Sequence, residues 1–337
     1  MHPLRLVNER DHMTVMNMVQ AVNSALMQEM QRDPAVVLLG EDIGVNGGVF
    51  RVTEGLLQRF GPERVIDTPL AELGIVGCSI GMAVSGLRPV CEIQFSGFLP
   101  PAFDQLLSHA GRIRNRSRGR YSAPMVVRVP YSGGIHAPEH HSESMETVYS
   151  AIPGIKVVIP STPYDAKGLL AASIRDPDPV LFMEPKRIYR LLKEDVPEEP
   201  YALELGKANV VAEGTDLTIV SWGAMMRFAR EAAAVLAKQN VSADVIDIRT
   251  CSPLDTDTII ASVKKTGRCI IVHEAPRTCG LGAEISAEIN EKALLSLEAP
   301  VMRVTGFDTP FPLYRLEEYY LPNTQRILHA AKKVMEY

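Results

Sequence analysis

A carboxylate at the start of an unusually apolar segment is the first group in this chain that could do chemistry. Glu72 precedes residues 73–84, which contain three glycines and no charged side chain. The pattern predicts a helix with Pro69 at its first position and Gly86 near its end, buried on every side. A carboxylate at the mouth of a buried helix is costly unless it has a partner or becomes protonated. Glu72 is therefore a candidate for acid–base chemistry, although a carboxylate that only complements the helix dipole would show the same pattern.

Two glycines of this segment indicate a contact with another chain. Gly77 and Gly81 lie about one helical turn apart. Because they carry no side chains, they let another backbone approach closely. We expect this face to meet a helix of a partner chain.

A loop with three histidines holds the second group of candidates. His136, His140 and His141 follow the predicted strand 125–129, in a segment that also contains glycines and prolines. An imidazole changes its protonation near neutral pH, which suits proton transfer. The alternative is a metal site with three histidine ligands, whose orienting hydrogen bonds a sequence cannot show.

A glycine-rich stretch, residues 40–48, follows the predicted strand 36–39 and is too polar for a regular element. Ligands bind in the loops after the strands of open α/β sheets. We therefore expect this stretch to form part of a site wall.

The elements that would position these residues alternate between strand and helix, which indicates parallel sheets covered on both faces. A helix is predicted to start at a Thr14 cap, and another from about Pro101 with Ala102, Leu106 and Ala110 facing inward. We predict an α/β fold of two open, mostly parallel-sheet, three-layer domains. Residues 1–190 form the first, the acidic and proline-bearing residues 191–206 a linker, and residues 207–337 the second. The remaining strands are predicted at 89–95, 156–159, 180–183, 217–221, 244–248 and 269–272.

Composition excludes several classes of protein. A chain of 337 residues with 46% hydrophobic and 22% charged content is typical of a two-domain globular protein. The formal net charge of -5 argues against a nucleic-acid partner, so the arginine-rich segment 112–120 is interpreted as a solvated or interface segment. We find no signal peptide and no membrane span, and expect a cytoplasmic protein, or one of an organelle matrix if the precursor is longer. The five cysteines form no C-x-x-C pair, so neither a disulfide framework nor a zinc site is indicated.

Several motifs in the same order give the chain a resemblance to a known family. Residues 67–72 (DTPLAE), with 38–44 (LLGEDIG) before them and 92–95 (EIQF) after them, resemble the beta subunit of a thiamine-diphosphate-dependent 2-oxoacid dehydrogenase, its decarboxylase component. The resemblance continues nearly end to end, through residues 153–160, 165–169, 273–275 and 308–310. It implies a thiamine-diphosphate pyrimidine-binding domain followed by a transketolase C-terminal-like domain.

The resemblance also implies that this chain is half of an active site. In the family, the domain that binds the diphosphate and Mg²⁺ carries a Gly-Asp-Gly motif, and no Gly-Asp-Gly occurs here. A separate alpha subunit would supply the diphosphate and Mg²⁺ ligands, in an alpha-two beta-two tetramer.

Individual residues acquire roles from the same resemblance. Glu72 would bind the N1′ atom of the aminopyrimidine ring in a dry pocket and exchange a proton with it. Phe98 would pack on the ring, and Gln94 would also contact the cofactor. His141, which precedes a Ser-x-Ser sequence, would donate a proton when a lipoyl group is acylated. Some family members bind K⁺, which the resemblance would place at Met125, Ser173, Ile174, Asp176 and Asp178.

The implied activity is the oxidative decarboxylation of a branched-chain 2-oxoacid or pyruvate, with reductive acylation of the lipoyl group of an acyltransferase core. Docking of that core would use acidic residues near Glu298 and Tyr337. Two other functions stay open: half of a split transketolase-like enzyme, and a non-catalytic docking subunit.

Overall fold

A computed structural model describes residues 12–337 and confirms the predicted α/β class, with two large sheets and a two-stranded ribbon. The first half contains β1 (Met13–Asn17), α1 (Met18–Arg32), β2 (Val36–Gly40), α2 (Leu56–Phe60), β3 (Val65–Asp67), α3 (Glu72–Val84), β4 (Arg88–Glu92), α4 (Ile113–Arg116), β5 (Val126–Tyr131), α5 (Glu146–Ser150), β6 (Lys156–Val158), α6 (Pro163–Arg175), β7 (Val180–Pro185) and β8 (Lys193–Pro197). The second half contains β9 (Asn209–Ala212), β10 (Leu217–Ser221), α7 (Met225–Ala237), β11 (Ala243–Asp247), β12 (Thr250–Ser252), α8 (Thr256–Thr266), β13 (Cys269–Val272), α9 (Leu281–Ala293), β14 (Met302–Val304), α10 (Tyr314–Tyr320) and α11 (Thr324–Met335). Residues 1–11 of the predicted first domain lie outside the described part.

Both large sheets are mostly parallel. The seven-stranded sheet has the order β12-β6-β7-β5-β4-β2-β3, in which only β12 runs antiparallel to its neighbour. The five-stranded sheet has the order β14-β13-β10-β11-β9, in which only β9 is antiparallel. The strands β5 and β10, which are mostly apolar, are buried at every position, as expected for strands covered on both faces.

Two apolar layers continue across the two domains. One contains buried residues of α1, α6, α7 and α11, and the other contains buried residues of α3, α8 and α9. The strand β12, from the second half of the chain, also joins the first sheet beside β6. The domains therefore share their cores.

The helix predicted from a Thr14 cap begins later, so that prediction was wrong. Residues 13–17 form β1, and Asn17 caps α1 through a capping box with Gln20. The strand β1 pairs with β8, which lies inside the segment 191–206 that we interpreted as an aperiodic linker. Both strands of this two-stranded ribbon are partly exposed. Their polar side chains interrupt the apolar run from which a buried strand is predicted.

The helix at Glu72 is not buried on every side, which corrects a second prediction. It begins at Glu72 itself, with Pro69 outside it. Val76 and Ile80 are buried, but Leu73 is 52% exposed and Gly81 is exposed. The helix packs on β4 and on the segment after it, and nothing in the described part of the chain covers its opposite face.

The helix predicted from Pro101 is broken into short pieces. It consists of 3-10 turns at Pro100–Ala102 and Ala110–Arg112, a π turn at Gln105–His109, and α4. The predicted inward residues, Ala102, Leu106 and Ala110, are buried.

A buried ionic network ties together the centre of the first sheet. Arg128 on β5 donates through Nε and Nη2 to Glu184 on β7, at 2.7 and 2.9 Å, and through Nη1 to Glu92 on β4, at 2.7 Å. The hydroxyl of Tyr189 also donates to Glu184, at 2.6 Å. Burial raises the pKa of Glu92, and the Arg128 charge opposes this shift. The guanidinium therefore compensates two carboxylates that would otherwise be costly to bury.

None of the helices in residues 12–337 is long and apolar enough to cross a bilayer.

Replacing Arg128 tests this network. Arg128→Met leaves two buried carboxylates without a cation, and we expect the free energy of unfolding to fall by about 3–5 kcal/mol. Urea denaturation of the purified protein measures the loss. Arg114→Met, which removes the half-exposed partner of Asp178, should cost less than about 1 kcal/mol. Equal losses in the two variants would contradict a structural role for the network.

Candidate active site at the carboxyl edge of the first sheet

The candidate residues lie after four neighbouring parallel strands. Glu72 follows β3, Gln94 and Phe98 follow β4, and His141 follows β5, while β2 lies between β3 and β4. Because parallel strands end at the same edge of a sheet, the loops that carry these residues share one edge, where ligands bind in open α/β folds.

Glu72 stands at a helix start that no side chain caps. The N-cap residue, Ala71, has no side-chain acceptor for the first backbone N–H groups of the helix. The Glu72 carboxylate lies in the first turn, as predicted. It is half-buried, and within residues 12–337 its side chain has no hydrogen-bond partner. The described residues therefore do not complete the dry pocket expected around it.

A second carboxylate lies beside Glu72. Glu41 directly follows β2 and is 8% exposed. Burial raises the pKa of Glu41, and the negative charges of Glu72 and Asp42 raise it further. The sequence analysis did not select Glu41, although a charged residue directly after a fully buried strand was a usable signal.

The glycine-rich stretch 40–48 forms a wall next to these carboxylates. Asp67, at the end of β3, accepts hydrogen bonds from the backbone N–H groups of Gly44, at 2.6 Å, and Val45, at 3.2 Å. A side chain at Gly44 would collide with the same carboxylate. Asp67 therefore fixes the stretch against the edge of the sheet.

Three aromatic rings bring Phe98 and His141 together. The ring centroid of His141 lies 4.4 Å from that of Phe95 and 5.1 Å from that of Phe98, in edge-on arrangements. The His141 Nδ1 atom is buried and has no hydrogen-bond partner in the described part of the chain. Burial lowers the pKa of His141, and the charges of Lys186 and His140 lower it further. The neutral imidazole therefore predominates at pH 7.

The three histidines do not form a common metal site. Among the described residues, His136 shares a cluster of possible ligand atoms with Glu317 and Glu318, all within 4.8 Å of one another, and neither His140 nor His141 belongs to it. Glu318 is already paired with Arg187, at 3.2 Å. This geometry overturns the alternative of a triple-histidine site.

The residues expected to bind K⁺ already have cationic partners. Arg88 Nη1 donates to the carbonyls of Ile174, at 2.8 Å, and Asp176, at 3.2 Å. Lys156 binds the Asp176 carboxylate at 2.7 Å, and Arg114 binds the Asp178 carboxylate at 2.6 Å. The carbonyl of Ser173 accepts from Asp176 N–H, and that of Met125 from Val180 N–H. An added potassium ion would lie beside three positive side chains, so these residues do not fit it.

The edge does fit the aminopyrimidine ring that the resemblance implies. Phe98 offers a partly exposed aromatic ring, and Gln94 offers a half-buried amide with no hydrogen-bond partner within residues 12–337. Glu72 supplies a carboxylate, and His141 an unpartnered buried nitrogen. These groups match a flat ring with polar edges better than they match a phosphate, which would require cationic or backbone N–H donors.

Comparisons with known proteins point the same way. Residues 14–191 match the family described as "Transketolase, pyrimidine binding domain", and residues 206–327 match "Transketolase, C-terminal domain". The pyruvate dehydrogenase E1 component subunit beta of Bacillus subtilis (strain 168) is 53% identical over 325 residues, covering 96% of this chain and 100% of the relative. The protein of the same name from Acholeplasma laidlawii is 51% identical over 322 residues, covering 96% and 98%. A solved structure described as "Split gene transketolase, inactive beta4 tetramer" superimposes with a TM-score of 0.77 over 95% of this chain and 98% of that one, and its 21% identity shows the shared fold alone.

Proposed function

Because this chain belongs to the family of beta subunits of the decarboxylase component of 2-oxoacid dehydrogenases, we propose that it supplies the aminopyrimidine half of a thiamine-diphosphate site for the oxidative decarboxylation of pyruvate. The alpha subunit supplies the diphosphate and Mg²⁺ ligands of the other half. The observation that carries the proposal is the placement of Glu72 at an open helix start beside the buried Glu41.

When bound, thiamine diphosphate supplies the electron sink for the release of carbon dioxide from a 2-oxoacid. Glu72 binds the ring nitrogen N1′ and holds or returns a proton at that atom. Phe98 packs against the ring, Gln94 binds its polar edge, and the stretch 40–48 helps to exclude water. Glu72 is only half-buried here, and proton exchange with the ring in a dry environment requires its side chain to be fully covered. This supports the alpha subunit as the part that covers it.

The substrate and the need for an alpha subunit are tested together. The chain should be co-expressed with the alpha subunit, and carbon dioxide release compared for pyruvate and branched-chain 2-oxoacids. We expect pyruvate to react fastest, since the relatives above are named pyruvate dehydrogenase subunits, and the isolated chain to be inactive. If carbon dioxide is released faster from branched-chain 2-oxoacids, these and not pyruvate are the substrates. If no 2-oxoacid releases carbon dioxide, the proposed function is wrong.

Glu72→Gln tests the proton exchange. The amide keeps the shape of the side chain but cannot exchange a proton with N1′, so we expect the decarboxylation rate to fall by at least about 10²-fold while assembly is intact. The measurement is carbon dioxide release at saturating thiamine diphosphate. Glu63→Gln, at an exposed position, is the matched control and should behave as the wild type. Near-wild-type activity of Glu72→Gln would exclude the assignment.

His141 acts at the acyl-transfer step in this proposal. Its ring contacts Phe95 and Phe98, and because its Nδ1 atom is buried, Nε2 is the ring nitrogen left to meet a substrate group. When the lipoyl dithiolane of the acyltransferase core opens, the sulfur that leaves takes up a proton, which the protonated form of His141 can donate, whereas the N–H group of the neutral ring is too weakly acidic to do so.

His141→Ala should therefore separate two assays. We expect reductive acylation of a lipoyl domain to fall by at least about tenfold more than decarboxylation measured with an artificial electron acceptor, since general acid catalysis contributes about 10²–10⁴-fold. The neighbouring, exposed His140→Ala is the control and should leave both rates unchanged. Equal losses in the two assays would place His141 in substrate binding or structure.

The exposed face of α3 supports an alpha-two beta-two assembly. Gly81 is exposed, and a methyl group built on it would contact nothing within 4 Å. Leu73 on the same helix is 52% exposed, and Leu70 just before the helix is 78% exposed. A partly uncovered apolar helix marks an interaction surface, which we assign to a helix of another subunit.

Gly81→Leu tests that contact without disturbing the fold of the chain, because the added side chain meets open space here. We expect the added side chain to overpack the interface and to destabilise the assembly by about 1–3 kcal/mol, so that the tetramer and its activity are lost. Sedimentation velocity measures assembly. Ala261→Leu adds the same bulk at an exposed position of α8 and should assemble normally. An intact, active Gly81→Leu tetramer would show that this face is free in the assembly.

Docking of the lipoylated acyltransferase core is proposed at a groove of the second domain. The groove, of about 730 Å³, lies between α9 and residues 297–301, with Tyr337 at its margin. Leu294 and Leu295 are exposed beside it, and the Glu298 side chain is 60% exposed. The floor is apolar, and Glu298 at its rim is paired with Arg268, so the groove suits an apolar segment of the core that carries a basic residue able to share this carboxylate.

A further inference from the structure

The loop that carries the three histidines is held by the second domain. This histidine loop, residues 132–144, follows β5 of the first sheet, yet its backbone is bound by side chains that follow β13 and lie in α10. We propose that Glu274 is a positioning residue, a clamp that closes the histidine loop and sets the place of His141 from the second domain.

Glu274 holds the loop at both of its ends. Its Oε1 atom accepts a hydrogen bond from Gly133 N–H, at 2.8 Å, and another from the Ser144 hydroxyl, at 2.6 Å. The carboxylate is 5% exposed, so water does not compete strongly for these bonds. One buried atom therefore joins the beginning and the end of the loop and offsets the entropic cost of closing it.

A second carboxylate fixes the middle of the loop. Glu317 of α10 is fully buried, and its Oε2 atom accepts from His136 N–H at 3.2 Å. The backbone of His136 is in the left-handed region, with φ of 58°. Non-glycine residues adopt this conformation only when their surroundings hold them there.

A buried cation balances the two carboxylates. The Lys186 ammonium donates to the carbonyl of Ser132, the first residue of the loop. Burial lowers the pKa of Lys186 to about 7, and the charges of Glu274 and Glu317 oppose that shift. The clamp thus combines hydrogen bonds with partial charge compensation, as buried ionic groups require.

One glycine of the loop allows the two domains to touch directly, and the next makes room for a side chain of the first domain. A side chain at Gly133 would collide with the Phe311 ring, and one at Gly134 would collide with the Arg187 side chain. At the far end, a side chain at Gly97 would collide with the carbonyl of His140. The loop is therefore fitted between the second domain and the segment that carries Phe98, and a shift at Glu274 would move His141 relative to the aromatic rings.

The test compares three variants in the assembly with the alpha subunit. Glu274→Ala removes both hydrogen bonds, Ser144→Ala removes only the bond at the end of the loop, and Glu274→Gln keeps an oxygen that can accept both. Asp165→Asn is the matched control, because Asp165 is an equally buried carboxylate whose partner across the domains is Arg249 and not the histidine loop. Hydrogen exchange of residues 132–144 is followed without substrate, and the two assays described for His141 are run in parallel.

We expect exchange in the loop to become at least about tenfold faster in Glu274→Ala, since hydrogen bonds to charged groups are the stronger ones. Ser144→Ala and Glu274→Gln should each give a smaller increase in the same segment, because Ser144→Ala removes one of the two bonds and Glu274→Gln keeps an acceptor oxygen but loses its charge, and Asp165→Asn should leave the loop unchanged. The rate of acyl transfer should fall in the variants whose loop exchanges faster. It should fall by a larger factor than the rate of decarboxylation. Unchanged exchange in both Glu274→Ala and Ser144→Ala would overturn the clamp, as would equal loosening in Asp165→Asn.

The part of this inference that concerns acyl transfer rests on the function proposed above. Faster loop exchange with both reaction rates unchanged would overturn the positioning role of Glu274. A wild-type assembly that decarboxylates no 2-oxoacid would instead refute the proposed function, and the exchange experiment would still decide whether Glu274 holds the loop.

Discussion

The bonds of Arg128 to Glu184 and Glu92 are the interaction on which the candidate site depends most. They cross-link β7, β5 and β4, the central strands of the first sheet. Glu92 ends β4, two residues before Gln94, and β5 leads directly into the histidine loop. A buried ion pair of this kind adds little net stability compared with an apolar core, but it specifies one arrangement because every displacement leaves a buried charge unpaired. The ends of β4 and β5 are therefore fixed relative to each other, and these ends position the residues that follow.

Much of this arrangement was accessible from the sequence, because buried parallel strands read as continuous apolar runs. The limits of β10 and β13 agree with the predicted residues, and Glu72 lies in the first turn of its helix as expected. The predicted inward face of residues 102–110 is buried although the segment is not a regular helix. Apolar patterning reports which residues are covered more reliably than it reports the hydrogen-bond pattern of the backbone.

The features that were missed depend on partners distant in the chain. The first half of β8 is polar and partly exposed, and β8 pairs only with β1 among the described strands. Two of the carbonyls assigned to potassium, those of Ile174 and Asp176, are bound by Arg88, which no local pattern connects to them. The histidine loop was correctly selected as unusual, but its glycines could not be explained without Phe311 and Arg187 of the folded protein. In each case a long-range contact decided what the local sequence left open.

The exposed apolar surface and the incomplete site lie on one part of the molecule. Leu70 and Leu73, both largely exposed, flank the carboxylate of Glu72 at the start of α3. A subunit that covers these leucines must also remove water from Glu72 and from the neighbouring Glu41, whose pKa is already raised by burial. Apolar burial would then stabilise the assembly while the same contact removes water from two neighbouring carboxylates. We therefore expect assembly and activation to be a single event for this chain.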